Sequence, residues 1–317
     1  MNNFWETLEK PFFVLAPMAD VTDAAFRRVI AKYGRPDVMW TEFVSCDGLC
    51  HPEGRQALSI DLLYTEDERP IVAQVFTAHP EKMREAAKYI LELGFDGLDI
   101  NMGCPEKNIV KQGTGAALMQ NPELAKELVL AAKEGVEERI PVSVKTRVGF
   151  NADELETWLP ALIEAKPAAI TIHARTKKEM SLVPANWDRV KRAVEIARGS
   201  GVLILGNGDV KNLEEAQARV SETGCDGVMI GRGIFGNPWL FDETKKEISV
   251  EEKLRVMVEH TKLYEELFAG KKSFELMKKH YKAYVHDFPE AKELRVKLMD
   301  CHTAKEVSDI VDVFLGK

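Results

Sequence analysis

The chain has 317 residues, 45% of them hydrophobic and 30% charged, with a formal net charge of −8 at pH 7. That balance excludes a disordered, collagen-like or coiled-coil chain, and the length holds two domains or one barrel with an appendage. The longest apolar runs, such as residues 202–205 and 168–172, fall far short of the roughly 20 residues of a membrane span, and residues 1–10 carry no secretion signal.

In chain order, β-rich runs fall at 12–16, 38–43, 71–76, 97–102, 142–147, 169–174, 202–206 and 227–231. Several are continuous Val/Ile/Leu runs, as expected of parallel strands buried on both faces. Helical patterns lie between them. Thr22 through Phe26, Val29 and Ile30 leads to Gly34; Met83, Ala86, Ala87, Ile90 and Leu91 form an apolar stripe ending at Gly94; Asn121 and Pro122 open a helix that stops at Gly135. Eight β-then-α units in about 240 residues predict an α/β fold, a (β/α)8 TIM barrel, with a doubly wound sheet as the structural alternative. After Phe241 the β-rich runs cease and leucine-type spacing marks helical segments at 254–268, 274–285, 291–299 and 304–315. The expected division is therefore a barrel over 1–241 and a small C-terminal helical domain over 242–317. From Val250 onward 13 Lys+Arg balance 13 Asp+Glu, so the whole −8 lies in the preceding 249 residues. This asymmetry permits an anionic partner at the tail without demanding one.

In such a barrel, chemistry collects where strands end at the C-terminal face. The strand ends supply Ala16-Pro17-Met18-Ala19-Asp20, Gln74, Asn101-Met102-Gly103-Cys104-Pro105, Lys145-Thr146-Arg147, His173-Ala174-Arg175, Gly206-Asn207-Gly208-Asp209 and Gly231-Arg232-Gly233. The glycines of the last two groups let the backbone approach an anion, which reads as a phosphate cradle. Lys145 ends an apolar strand and needs an anionic or electron-rich partner, or else a salt bridge within the barrel. His173 and Arg175 share a strand face, and Gln74 suits either the fold or a ring ligand. Cys104 lies in a Gly-Cys-Pro loop; with a thiol pKa of about 8.5 it stays mostly protonated at neutral pH and can donate a proton. Cys46-x-x-x-Cys50-His51 lacks a fourth ligand and a second spaced pair, so no metal is expected. The Gly-x-Gly patterns lack the context of a dinucleotide fingerprint, so a nicotinamide would be a visitor. Five cysteines, an odd number in a long chain, point to a reducing, cytoplasmic setting.

These motifs together resemble the tRNA-dihydrouridine synthases, from about Val14 to Arg295. The markers are Ala16-Pro17-Met18-Ala19, Gln74-Val75-Phe76, Asp99 to Pro105, Gly115-Ala116-Ala117-Leu118, Val144 to Arg147, Ile172 to Arg175, Gly206 to Asp209 and Met229 to Gly233, with Lys278-Lys279-His280 in the tail. The resemblance implies a noncovalent FMN in the barrel and a helical domain that helps grip tRNA. It also implies NADPH-dependent reduction of the 5,6 double bond of a uridine. Cys104 would protonate carbon 5. Pro17, Met18, Ala19, Gln74, Lys145, His173, Asn207, Gly208, Asp209, Gly231 and Arg232 would hold the cofactor, and Asn101, Arg147 and Arg175 would contact substrate. Its partners would be tRNA and no membrane, with the protein a monomer. Two alternatives stand beside it: a dihydroorotate- or dihydropyrimidine-type FMN dehydrogenase, which typically has Ser where Gly103 stands, and a tRNA-binding or folding module with incidental catalysis. The stretch Lys177-Lys178-Glu179-Met180-Ser181-Leu182-Val183 departs from the aromatic, glycine-containing pattern usual there.

Overall fold

The computed structural model describes residues 3–316. Its eight strands are β1 (Phe12–Leu15), β2 (Met39–Ser45), β3 (Ile71–Phe76), β4 (Gly97–Met102), β5 (Val142–Arg147), β6 (Ala169–His173), β7 (Leu203–Asn207) and β8 (Gly227–Ile230). β2 through β8 pair in parallel with their sequence neighbours, and β1 pairs in parallel with β8. The ring closes where Val14 bridges Val38 and the Leu15 N–H donates to the Val38 carbonyl at 3.1 Å. Consecutive pairing around a closed ring is the TIM barrel and rules out the doubly wound sheet. Every expected strand is present, with ends shifted by two residues at most. The helix starts follow local capping: the Asp23 carboxylate accepts the Phe26 N–H at 2.9 Å, and Asn121 accepts that of Leu124 at 3.2 Å.

The barrel interior is solid below its mouth. Val14, Trp40, Val72, Ala169, Leu205 and Met229 fill it, and Phe4 and Trp5 seal the end where the strands begin. The Trp5 ring lies 5.3 Å from Phe12 and 6.1 Å from Trp40. With the lower layers largely apolar, inward-facing polar side chains gather toward the upper strand ends, with Asp99 and Ser143 buried beneath them.

Beyond β8, residues 235–249 contain no helix or strand, and the chain then forms helices Val250–Phe268, Lys278–Tyr284, Ala291–Met299 and Ala304–Phe314. The expected single segment at 274–285 begins as a tight 3-10 turn, Phe274–Met277, because the Ser273 hydroxyl captures the Glu275 N–H at 3.3 Å. These helices share a core with the barrel. Helix Ala24–Tyr33 turns Phe26 and Ile30 toward the barrel shell and Ala24, Ala25 and Val29 toward Leu254, Met257, Tyr281 and Tyr284. The Lys272 ammonium adds a polar tie, reaching Glu42 on β2 at 2.8 Å and Asp61 at 2.6 Å. Glu42 in turn accepts the Asp20 N–H at 2.5 Å, which links the tail to the loop after β1.

His260 and His280 lie in this seam, fully buried, with ring centroids 4.8 Å apart and Phe26 packed against both. Neither nitrogen of His260 has a hydrogen-bond partner in the structure. Burial therefore pushes His260 down to about 3 and His280 well below its ordinary range. Because the unfolded chain takes up these protons near pH 6.5 and the folded chain does not, stability falls as pH drops below 6.5. His260→Phe removes one titrating ring. Between pH 7 and 5 the variant should lose about 1 to 2 kcal/mol less stability than wild type in urea titrations; equal losses would show that the ring does not titrate in this window.

Candidate active site

Strand register brings the polar strand ends together. Asn101 lies opposite Lys145, Arg147 opposite His173, and His173 opposite Asn207 on four successive strands. Above them opens a cavity of about 170 Å³ lined by Ala16, Pro17, Met18, Lys145, His173, Ser181, Asn207, Gly208, Asp209, Val210, Met229, Gly231 and Arg232. Nine of the expected site residues thus share one cavity, whereas Ala19, Gln74, Asn101, Cys104, Arg147 and Arg175 lie outside its lining.

The cavity is cationic. Lys145 donates to the Asn207 amide oxygen at 3.3 Å, and the Asn207 amide nitrogen is fixed by the Met229 carbonyl at 2.7 Å. Burial, with Arg147 nearby, brings the Lys145 ammonium down to about 8, which marks a charge short of a counterion. Burial and the surrounding Lys145, Arg147, Arg175 and Arg232 hold His173 neutral. Asp209 is the one carboxylate in the lining, and it is already engaged. It accepts from Arg175, from Arg232 at 2.7 Å and from the Ala185 N–H at 2.9 Å. Burial alone would raise its pKa, but these donors outweigh it and the carboxyl stays below its usual range. Gly208 takes φ +135, and a Cβ there would approach Ala185 Cβ to 2.8 Å; one on Gly231 would project against Met18 and Ala16 in the cavity. A Lys ammonium without a carboxylate partner beside side-chain-free backbone fits a group that is anionic at one end and an electron-rich ring at the other.

A second assembly lies beside the cavity. The Asp99 carboxylate, buried on β4, accepts from Gln74 at 2.6 Å and from the Ser143 hydroxyl at 2.6 Å. Burial lifts it to about 6 against those hydrogen bonds. Asn101 donates to the Gln74 oxygen at 3.1 Å and uses its own oxygen to accept the N–H groups of Gly103 and Cys104, at 3.1 and 2.9 Å. A hydrogen-bonded chain from Ser143 to Cys104 therefore sets the cysteine loop. The Cys104 thiol is half-buried; burial raises its pKa more than Lys145 and Arg147 lower it, so it holds its proton at neutral pH.

The residues read as substrate contacts sit deeper than a contact surface. Arg147 is 6% exposed and donates to the carbonyls of Gly103, Thr176 and Met180 at 2.9 to 3.1 Å. Arg175, 2% exposed, donates to the Val183 carbonyl at 2.6 Å and pairs with Asp209. Both brace loops of the mouth. Lys278 is paired with Glu275 at 2.7 Å, while Lys279 is half-buried facing Asp20 and Glu42. In the sequence Asp99 is marked as a buried anchor only by its place two residues before Asn101 in an apolar strand, and Ser143 and Ser181 carry no such mark.

A closed barrel with a cationic, glycine-backed mouth and a cysteine loop beside it defines a (β/α)8-barrel enzyme for an anionic cofactor or substrate. The solved structures of a histamine dehydrogenase from Rhizobium sp. 4-9 and of 6-hydroxypseudooxynicotine amine oxidase from Pseudomonas geniculata N1 share this fold. Their TM-scores are 0.54 and 0.53, at 13% and 12% identity over 79% and 72% of this chain, which spans about half of each (48% and 46%). Residues 14–315 match the family described as "Dihydrouridine synthase (Dus)". A protein of Bacillus subtilis (strain 168) named "Probable tRNA-dihydrouridine synthase 2" is 41% identical, covering 100% of this chain and 98% of its own length. One from Staphylococcus epidermidis (strain RP62A), named "Probable tRNA-dihydrouridine synthase", is 40% identical over 99% of this chain and 96% of its own. The chain belongs to the dihydrouridine synthase family. It is a flavin-dependent oxidoreductase that forms dihydrouridine in tRNA.

Lys145 yields a test of the site. Its ammonium loses charge as pH rises through about 8, so flavin affinity should weaken above that pH, by up to about tenfold per unit. Lys145→Met should flatten the profile. Flavin fluorescence titrations of the apoprotein at pH 7, 8 and 9 measure it, and a wild-type affinity constant across that range would remove Lys145 from the cofactor site.

Proposed function

We propose that the chain reduces the 5,6 double bond of a uridine in tRNA with electrons drawn from NADPH through a noncovalent FMN. The observation that carries this reading is the Cys104 loop, tied by Asn101 to the buried Asp99–Gln74 pair and set beside the half-buried Lys145. FMN, when bound, supplies the hydride for carbon 6 of the uracil. Asn207, Gly208, Asp209, Gly231 and Arg232 hold its phosphate end, Pro17, Met18 and Ala19 support its ring, and Lys145 meets the electron-rich edge of that ring. Gln74 sets the Cys104 loop through Asn101, and neutral His173 offers a hydrogen bond without a competing charge. Cys104 Sγ delivers the proton to carbon 5, since burial keeps the thiol protonated until it is needed. The thiolate left behind faces Lys145 and Arg147, whose charges stabilise it until a solvent proton returns. Asn101, Arg147 and Arg175 shape the opening that admits the uridine, which leaves the tRNA stack to enter.

The helical region at 242–317 forms the second wall of the tRNA site, its net charge of −1 setting it apart from the acidic barrel, which carries −7. The protein acts as a monomer in a reducing, cytoplasmic compartment, consistent with five free cysteines. A dehydrogenase of the dihydroorotate type fits less well. A serine at position 103 would set its Cβ 3.2 Å from the Thr146 backbone, so β5 would have to give way.

Denatured holoenzyme should release FMN on chromatography; recovery of FAD would overturn the cofactor assignment. For the acid, Cys104→Ala should keep its flavin and its reduction by NADPH, while reoxidation by unmodified tRNA slows by about 10²-fold or more. Anaerobic flavin absorbance follows both half-reactions. If tRNA reoxidised the variant within about threefold of wild type, Cys104 would be structural and the proton would come from elsewhere.

A further inference from the structure

Eight large apolar side chains are exposed among the described residues, and three of them, Met180, Leu182 and Val183, fall within four positions of one another. Leu182 is the most exposed of all at 86%. The segment is braced from beneath. The Glu179 carboxylate accepts the Thr176 N–H at 2.7 Å and both Arg189 nitrogens at 2.7 and 3.0 Å, and the Leu182 N–H closes a turn onto the Glu179 carbonyl at 2.9 Å. Arg147 holds the Met180 carbonyl and Arg175 that of Val183, one on each side of Leu182. Between them Ser181 lines the cavity. An aliphatic tip is thus presented at the rim of the mouth by two buried guanidinium groups.

We infer that Leu182, flanked by Met180 and Val183, packs against the RNA bases that neighbour the uridine entering the mouth. This rests on the proposed reaction with tRNA. Withdrawing a base from a stack leaves an apolar gap, and an aliphatic side chain inserted at the step keeps it open. The charge beside the tip suits the same partner: Lys178 is exposed, and Lys177 is held 4.7 Å over the Phe150 ring, so cations for phosphates stand next to an apolar surface for bases. Because the braces are made by backbone carbonyls and by Glu179, changing the Leu182 side chain leaves the loop's supports in place.

Leu182→Ser should slow reoxidation of the reduced holoenzyme by unmodified tRNA transcripts about tenfold or more, with NADPH reduction of the flavin unchanged, and Leu182→Met should restore the rate to within about threefold. A photoreactive p-benzoylphenylalanine at position 182 should crosslink to the transcript at nucleotides adjacent to the one that becomes dihydrouridine. A Leu182→Ser rate within about twofold of wild type, or crosslinks to a second copy of the chain instead of RNA, would overturn the inference. Failure of the wild type itself to form dihydrouridine in those transcripts would count against the proposed reaction instead.

Discussion

Lys145, Arg147, Arg175 and Arg232 converge on one mouth whose lining offers a single carboxylate, Asp209. Like charges held together away from water repel and lose hydration, and the protein meets that cost in a different way for each group. Arg147 discharges onto backbone carbonyls and Arg175 onto one carbonyl and Asp209, which fixes the loops carrying those carbonyls. Arg232 leans on Asp209 while remaining largely solvated. Lys145 has only an amide, so its pKa falls to about 8 and its charge stays available to an incoming ligand. Loop geometry and the neutrality of His173, which burial reinforces, both follow from how this charge is distributed.

The strands were readable because parallel strands buried on both faces leave continuous β-branched runs, and the barrel's convention of placing chemistry at strand ends located Lys145, His173, Asn207 and Gly231. What failed to show was the difference between touching a ligand and supporting what touches it. Arg147 looks like a free cation until the chain returns 29 and 33 residues later to place two carbonyls on its guanidinium. Asn101 likewise spends its oxygen on the loop that follows it. Asp99 was visible as a letter in a motif, but its role depends on Gln74 and Ser143 arriving from two other strands. The aromatic seal of Phe4 and Trp5 left no periodic signal, since three residues of 3-10 helix are too short to have one.

The tail presents the opposite case. Its helices were legible from spacing alone, yet their attachment was not, because it is made by residues of the barrel. Helix Ala24–Tyr33 contributes to both cores, and Glu42 receives Lys272 with one oxygen and the Asp20 N–H with the other. The loop after β1 and the tail helices beside it therefore answer to one buried carboxylate.

That shared seam bears on inheritance. A tail exchanged with a relative's at residue 241 would arrive without its counterparts at Phe26, Glu42 and Asp61, and would meet a surface shaped for a different set of side chains. Recombination at the chain's apparent joint is thereby penalised, and a new seating of the helices on the barrel must be acquired by paired substitutions in two distant stretches of sequence. The barrel, not the appendage alone, keeps the record of how the two were fitted together.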